Sequence, residues 1–277
     1  MTTFEGLIYG IVNGITQFFP IGAQAHNILV PAISGLSPPL GAAAGAFVAG
    51  SFLAVLFYFR HDWASMISSF LQIILFRRYP ASLDERLPIF IILAMLPPIV
   101  GWYYFHDKLL EACSDPLWVA GSLAVFGGVL WLSDHFSRKS KGMYDWNWID
   151  SLFVGFAQAL SLIPGFGLTA GGLSAALFRN YQRDSAAKFT LFLEMPILAC
   201  QAAYLLRDTH FQIHMPPGDN LSWLTFSVAL VVSFLTSLLT IGGFMKHFQK
   251  HGVRSYVIYR FMVGLGALAW LKYKGGT

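Results

Sequence analysis

Charged residues are scarce in this chain, and their scarcity excludes most soluble proteins. Asp, Glu, Lys and Arg make up 12% of the 277 residues, 56% are hydrophobic, and the mean hydropathy is +0.58. A soluble globular domain has a charged fraction of about 25%. Because the apolar residues form long runs rather than short alternating segments, the sequence predicts an all-α integral membrane protein and not a barrel.

Cysteine is almost absent, and so are the motifs of cofactor-dependent enzymes. Cys113 and Cys200 fall in a predicted loop and a predicted span, so we expect neither a disulfide nor a metal pair. No Gly-rich nucleotide loop follows a strand, and we expect no cofactor. The N-terminus begins with Thr2, Thr3 and Glu5 rather than a basic and then apolar stretch, so no cleaved signal peptide is expected.

Six apolar runs are close to the ~20 residues that cross a hydrocarbon core. The predicted spans are Ala42 to Phe59, Leu87 to Phe105, Pro116 to Leu132, Lys188 to Leu205, Leu221 to Gly243, and Tyr256 to Tyr273. Two further apolar regions, 3–34 and 148–178, are interrupted at Pro20 and at Pro164–Gly165. Since proline ends or kinks a helix, each of these regions is predicted to be a pair of half-helices.

The basic residues predict how the interrupted regions lie in the membrane. Most Lys and Arg fall in four connections, 60–86, 133–147, 179–188 and 244–255. The positive-inside rule places these connections in the cytoplasm, which accounts for the net charge of +4 without a nucleic acid. All four share that face only if 148–178 enters the membrane and returns.

The same parity puts residues 35–41 outside, so if 3–34 is also re-entrant it enters from the outer face. Two broken segments that enter from opposite faces are typical of an inverted-topology repeat with a site at the midplane. We therefore predict one membrane domain, 1–277, whose repeats are about 1–132 and 133–277. Residues 61–78 are predicted to form a helix at the cytoplasmic interface, and Trp146, Trp148 and Trp223 an interfacial aromatic belt.

The first broken segment contains the main candidate site. Gly10, Asn13, Gly14 and Gln17 recur at spacings of three and four, so on a helix they share one stripe. After Pro20 the chain continues through a compact polar turn, 22–26, that ends in His26. These residues could approach a ligand closely. The alternative is an ordinary Pro-kinked helix whose small residues serve close packing.

The chain resembles a known family along nearly its whole length. The run from Gly10 to Pro20 followed by His26, the Pro164–Gly165 turn followed by Thr169, and the terminal Ile258-Tyr259-Arg260-Phe261 are similar to the undecaprenyl-diphosphate phosphatases, also called the bacitracin-resistance family. The resemblance implies six spans plus two re-entrant helix pairs in inverted repeat. It also implies hydrolysis of a lipid-carrier diphosphate at the outer face of a bacterial inner membrane, with Arg260 as a retained family residue.

The first family motif is altered here. The family has two Glu where this chain has Asn13 and Gln17, and a Ser-rich turn where this chain has Gly22-Ala23-Gln24. His26 alone matches. Amides bind a hard cation far less well than two carboxylates do, so a divalent metal is expected only if hydrolysis survives.

The second motif is altered too. Its Arg is replaced by Leu168, its first Ser by Gly167 and its final Thr by Gly172. Cleaving a diphosphate requires metal or Arg to neutralise charge on the transferring group, and leucine cannot make a bidentate phosphate contact. The resemblance together with these replacements predicts that hydrolysis is lost.

Two charged residues lie inside predicted spans. Glu194 matches no family motif, and a carboxylate in a span is a functional candidate. Arg260 lies at a similar depth. Two interpretations stay open, that the two residues pair with each other or that they serve a ligand.

The leading hypothesis is a divergent family member that binds or translocates a polyprenyl phosphate without hydrolysing it. One alternative is an active phosphatase with a rearranged site of His26, Thr169 and Glu194, and another is a non-catalytic partner subunit of an envelope enzyme. A homodimer is left open, and no nucleic acid is expected. The predicted ligand-binding residues are Asn13, Gln17, Gln24, His26, Gly165, Gly167, Thr169 and Arg260.

Overall fold

A computed structural model describes residues 1–39, 41–77, 79–80, 82–207 and 222–275. Over these residues the regular structure is helical, as the composition predicts. The α-helices are α1 Thr3–Phe18, α2 Ala23–Ser34, α3 Gly41–Tyr58, α4 Arg60–Phe76, α5 Leu83–Cys113, α6 Pro116–Phe136, α7 Trp148–Ala159, α8 Leu168–Phe178, α9 Arg183–Arg207, α10 Trp223–His251 and α11 Arg254–Gly275.

Five of these helices are long and apolar enough to cross a membrane, namely α3, α5, α6, α9 and α10. They coincide with five of the six predicted spans, although Leu221, the first residue of the fifth, lies outside the described residues. The sixth, Tyr256 to Tyr273, falls within α11, which is 22 residues long and packs along α6. The chain is therefore a multi-pass membrane protein.

The two interrupted regions are each a pair of short helices. The first breaks between Phe18 and Ala23, and its backbone is extended at Phe19 and left-handed at Gly22, with a φ of +86°. The second ends α7 at Ala159, continues through a 3₁₀ turn, and resumes at Leu168. Both breaks lie at the predicted prolines, since proline lacks the N–H that an uninterrupted helix needs.

Each helix pair starts and ends at the same end of the molecule. Before α7 and after α8, Lys141 N donates to Asn180 O at 3.0 Å and Gln182 N donates to Lys141 O at 2.8 Å. The carboxylate of Glu5, in the first turn of α1, accepts from the N–H of Ser37, just after α2, at 3.0 Å. The chain thus turns back on itself across both breaks.

The four basic connections also meet at one end. Lys188 pairs with Asp62 at 2.7 Å, and Arg183 pairs with Asp134 at 2.8 Å, so α9 is tied to α4 and to α6. The turn after α10 joins them, because a side chain at Gly252 would collide with Arg183. These contacts place the connections 60–86, 133–147, 179–188 and 244–255 together.

One expectation about the aromatic residues is wrong. Trp148 and Trp223 are exposed, as residues of an interfacial belt would be, but Trp146 is buried. Its indole is stacked between Tyr181 and Phe189, with ring centroids 3.9 and 3.8 Å away. Trp146 therefore packs the base of the α7–α8 pair, because the turn that precedes α7 folds inward onto α9.

Candidate functional site

The two helix breaks touch each other. A Cβ built on Gly167 would lie 3.0 Å from the Cα of Gly22, and one built on Gly165 would lie 2.0 Å from the Ser122 hydroxyl. Gly165 and Gly167 also have φ of +100° and +85°, a region that disfavours residues with a Cβ. Glycine is therefore required at both positions by conformation, and in addition by the close approach of the other break at Gly167 and of α6 at Gly165.

Arg260 links the two breaks through hydrogen bonds to their main-chain carbonyls. Its guanidinium donates to the carbonyls of Pro20 and Phe166, at 3.1 Å each, and to Gly165 O. A fourth bond, to Leu123 O at 3.1 Å, holds it to α6. The side chain is fully buried and faces away from the pocket described below. In this structure Arg260 satisfies the carbonyls freed where both helices end.

A pocket of about 490 Å³ opens on the other side of the breaks. Its walls include the first residues of α2, Ala23 and Gln24, and those of α8, Leu168 and Thr169. The caps of both helices, Gly22 and Gly167, offer no side-chain acceptor. First-turn N–H groups have no partner within their own helix, so two uncapped positive helix ends face one space.

Amides and hydroxyls supply most of the polar wall. Asn13 lines the pocket, but its Nδ2 is already bonded to Ser51 at 3.0 Å and to Ser233 at 3.1 Å. The Thr169 hydroxyl donates to the main-chain carbonyl of Gln17 at 2.8 Å and so joins α8 to α1. Of the predicted ligand-binding residues, the pocket wall contains Asn13, Gln17, Gln24, Gly167 and Thr169.

His26 is held away from this wall. Its Nδ1 lies 2.8 Å from Gly22 O, and its Nε2 lies 2.8 Å from the Tyr259 hydroxyl. Both ring nitrogens thus have protein partners, and the ring is buried between α2 and α11. Like Gly165 and Arg260, His26 packs behind the breaks rather than at the pocket surface.

Glu194 does not pair with Arg260, so that interpretation is wrong. Neither carboxylate oxygen of Glu194 has a hydrogen-bond partner within the described residues. The four carbonyls around Arg260 already occupy its guanidinium. The pairing fails because α9 and α11 present these side chains to different surroundings, which depth in the membrane alone does not predict.

Sequence reasoning missed the residues that α5 and α9 bring to the pocket. Trp102 and His106 of α5 are stacked at 3.8 Å, and Gln201 of α9 lies on the same wall. Asn27, Ser114 and Ser161 line it as well. No spacing in the sequence indicated that His106 and Gln17 line the same cavity.

The donor set of the pocket does not suit a hard divalent cation. Among the described residues that line it there is no Asp, Glu, Lys or Arg, and His106 is the one ionisable side chain. Mg²⁺ and Ca²⁺ are bound mainly by carboxylate and carbonyl oxygens. Over the described part of the chain, no group of three or more His, Cys, Asp and Glu is arranged to hold a metal ion. The pocket is instead a neutral, largely apolar cavity that carries amides, hydroxyls and two positive helix ends.

Charged side chains line a second cavity, of about 560 Å³, at the opposite end of α9. Its walls include Asp62, Asp84, Asp184 and Lys188. Residues 184 to 192 of α9 border this cavity, whereas residues 201 and 205 border the neutral one. Because the breaks contribute only to the neutral cavity, that cavity is the candidate site.

Comparison with known proteins gives a family match over most of the chain. Residues 6–266 match the model described as bacitracin resistance protein BacA. An undecaprenyl-diphosphatase of Chlorobaculum parvum is 31% identical over 276 residues, covering 97% of this chain and 96% of the relative. One from Desulforudis audaxviator is 30% identical, covering 99% and 100%, and one from Alcanivorax borkumensis is 31% identical, covering 98% and 100%.

Proposed function

The chain belongs to the bacitracin resistance protein BacA family, and from that premise we propose that its neutral pocket binds the phosphate head of a polyprenyl lipid carrier. The observation that carries the proposal is the meeting of two uncapped helix N-termini at one cavity. Helix N-termini favour anions through their free N–H groups and their dipoles. The named relatives act on undecaprenyl diphosphate, whose head is such an anion.

We further propose that the head is held and released without being cleaved. Cleavage of a diphosphate requires positive charge on the transferring phosphoryl group and a positioned oxygen nucleophile. The described pocket wall offers amides, hydroxyls and one imidazole, with Leu168 at the position where the family resemblance implies Arg. Neutral donors hold a phosphate more loosely than Arg and metal do, and this suits a protein that must release its cargo.

The second candidate is hydrolysis by a rearranged site, and the comparisons favour it. Each relative named above is called an undecaprenyl-diphosphatase and is matched over almost its entire length. In this candidate Thr169, at the pocket wall, would act with His26 and Glu194. His26 would have to leave its bonds to Gly22 and Tyr259, and Glu194 would have to act from behind the wall.

Phosphate release from undecaprenyl diphosphate separates the two candidates. We expect purified protein to release no phosphate above background with Mg²⁺ or Ca²⁺ present, while the Chlorobaculum parvum relative, prepared identically, serves as the positive control. Turnover that is lost in Thr169→Ala but retained in Thr169→Ser would establish hydrolysis at this pocket and overturn the non-cleaving proposal. Binding is measured separately, as the affinity for a short-chain polyprenyl phosphate in detergent.

We propose an inverted-topology repeat, 1–132 and 133–277, as the scaffold for this function, with α11 as a sixth span and both helix pairs re-entrant. Three observations support it: the paired ends of α1–α2, the paired ends of α7–α8, and the gathering of the four basic connections. A midplane site between two such repeats suits alternating access in a bacterial inner membrane.

A further inference from the structure

Three polar side chains without partners are buried together behind the pocket wall. Gln158 of α7, and Thr190 and Glu194 of α9, are each 0% exposed. The terminal nitrogen and oxygen of Gln158, the Thr190 hydroxyl and both Glu194 oxygens have no hydrogen-bond partner within the described residues. Buried polar groups without partners are rare in proteins, and each one calls for an explanation. We name this set the buried polar cluster.

Gln158 and Thr190 point at a common space, and Glu194 lies on the same face of α9 as Thr190. Thr190 and Glu194 are four residues apart and so share one face of α9. The Gln158 Nε2 and the Thr190 Oγ1 each lie 2.9 Å from the place where a Cβ on Gly172 would be. Gly172 of α8 thus leaves room for these groups. A side chain at that position would occupy the space between α7 and α9.

Thr169 connects the cluster to the pocket, and the direction of its hydrogen bond matters. Its hydroxyl interacts with the Glu194 carboxyl without forming a well-aligned hydrogen bond to it, and it donates its hydrogen to the main-chain carbonyl of Gln17 at 2.8 Å. A hydroxyl has one hydrogen, so towards Glu194 it can only accept. An ionised carboxylate has no hydrogen to give, whereas a carboxylic acid does. The observed bond to Gln17 therefore fits a protonated Glu194.

The surroundings of Glu194 contain no compensating charge. The helices packed against α9 carry no Asp, Glu, Lys, Arg or His along 41–58 of α3, 87–102 of α5, 168–178 of α8 and 223–245 of α10. Further along α5, His106 and Asp107 contact Tyr204, ten residues beyond Glu194 on α9. On α9 itself the other charged residues are near its two ends, namely Arg183, Asp184, Lys188 and Arg207, and Lys188 pairs with Asp62. The other titratable side chains of α9 are Cys200 and Tyr204. An unpaired buried carboxylate is strongly disfavoured and takes up a proton instead.

We infer that Glu194 is a proton-binding site, and that Thr169 transmits its protonation state to Gln17 at the pocket wall. With the proton bound, the acid donates to Thr169 Oγ1, and Thr169 donates to Gln17 O. When the proton leaves to solvent or a base, Glu194 becomes an anion, and the Thr169 hydroxyl turns to donate to it. The Gln17 carbonyl then loses its partner, so the α8–α1 contact beside the anion pocket loosens. Proton binding and lipid-head binding are thereby coupled.

The first test examines the proton alone and does not depend on the proposed function. In purified protein at pH 7, infrared spectroscopy should detect the C=O stretch of one protonated carboxylic acid, which shifts in ²H₂O. The band should be lost in Glu194→Gln, whose amide preserves the shape and a donor to Thr169, and it should persist in Glu111→Gln, a change at an exposed carboxylate. Two results would overturn the inference. One is a wild-type spectrum identical to that of Glu194→Gln, and the other is loss of the band when Na⁺ is added, which would mean that the carboxylate binds a metal cation rather than a proton.

The second test examines the coupling, which rests on the proposed function. Binding of a polyprenyl phosphate is measured by calorimetry at alkaline pH in two buffers of different ionisation enthalpy, which reveals the protons exchanged on binding. We expect proton exchange with wild-type protein and none with Glu194→Gln. Equal exchange in both would overturn the coupling, whereas absence of any binding would refute the proposed function and leave the infrared result unaffected.

Discussion

The pocket residues Gln17 and Leu168 set the charge that a bound phosphate meets. They line the same cavity, Gln17 from α1 and Leu168 from the first turn of α8. A carboxylate at 17 would provide a ligand for a divalent cation, and a guanidinium at 168 would provide a bidentate phosphate donor.

We expect Gln17→Glu with Leu168→Arg to tighten binding of a polyprenyl phosphate by about tenfold or more in the presence of Mg²⁺, since charge-assisted hydrogen bonds contribute about 1.5–3 kcal/mol. The matched control is Leu168→Gln, which is long and polar but neutral. Affinities that do not differ among wild type, control and double variant would place the phosphate elsewhere.

For His26 we expect a loss of stability rather than of ligand contact, because both its ring nitrogens have hydrogen-bond partners within the protein. Replacing it with Ala removes the contacts to Gly22 O and to the Tyr259 hydroxyl. We expect His26→Ala to lower the free energy of unfolding by about 2 kcal/mol, and Tyr259→Phe by about 1 kcal/mol, because the Phe variant loses one bond of the two. Unfolding in a denaturing detergent measures both.

Ligand affinity distinguishes this structural role from direct contact. If His26→Ala left stability unchanged but weakened phosphate binding tenfold, the ring would have to reach the ligand, and the placement of His26 behind the breaks would be contradicted.

At the scale of elements, the α7–α8 pair is anchored by one buried carboxylate at its base. Asp150 accepts from Lys141 at 3.0 Å, from the Tyr181 hydroxyl at 2.8 Å, and from Arg179. Burial would raise the pKa of Asp150, but these hydrogen bonds outweigh burial and hold its pKa below the ordinary value. The unfolded chain therefore binds the proton more readily than the folded chain does.

The sign of the pH effect follows from that difference. The stabilisation by Asp150 is complete above the ordinary carboxyl pKa of about 4 and is lost as pH falls through the lower pKa of the folded state. We expect Asp150→Asn to lower the free energy of unfolding at pH 7 by about 2 kcal/mol. The expected loss is kept small because Lys141 and Arg179 are partly exposed, so that solvent screens their charges. Its deficit against wild type should shrink on acidification below about pH 4. Glu111→Gln, at an exposed site, should show no such change, and a constant deficit at all pH values would contradict the assignment.

Element by element, the sequence predicted where helices begin and stop better than it predicted what their side chains face. Hydropathy and proline placed the five long helices and both breaks, since length, apolar runs and a missing N–H act locally. Asn13, Gln17 and Thr169, which spacing and resemblance grouped, line one cavity, and their role in ligand binding stays a prediction. Trp146, His106 and the unpaired state of Glu194 were not foreseen, because each depends on the rotation of one helix against another, which a single sequence does not encode at short range.

For the whole molecule, the proposed topology predicts which loops share a side of the membrane. Ser140 and Gln182 are exposed and flank the α7–α8 pair, whereas Ser37 is exposed beyond α2. In a background of Cys113→Ser with Cys200→Ser, we expect Ser140→Cys and Gln182→Cys to be shielded from an impermeant thiol reagent in intact cells, and Ser37→Cys to react. All three should react after the cells are opened.

Two outcomes would contradict this topology. Labelling of Ser140→Cys but not Gln182→Cys would mean that 148–178 crosses the membrane. Shielding of Ser37→Cys would mean that the first helix pair does not enter from the outer face.

The Arg260 contacts also affect when the site can form during biosynthesis. The guanidinium that satisfies the Pro20 carbonyl lies 240 residues further along the chain, in α11. A ribosome delivers the chain from its N-terminus, so both broken segments reach the lipid before their common donor has been translated. Until then the carbonyls at 20, 165 and 166 must be satisfied by water or by the insertion machinery. The first break is thus made early but completed only when α11 has been added, and a nascent chain that stops short of α11 leaves the ribosome with both breaks lacking their common donor.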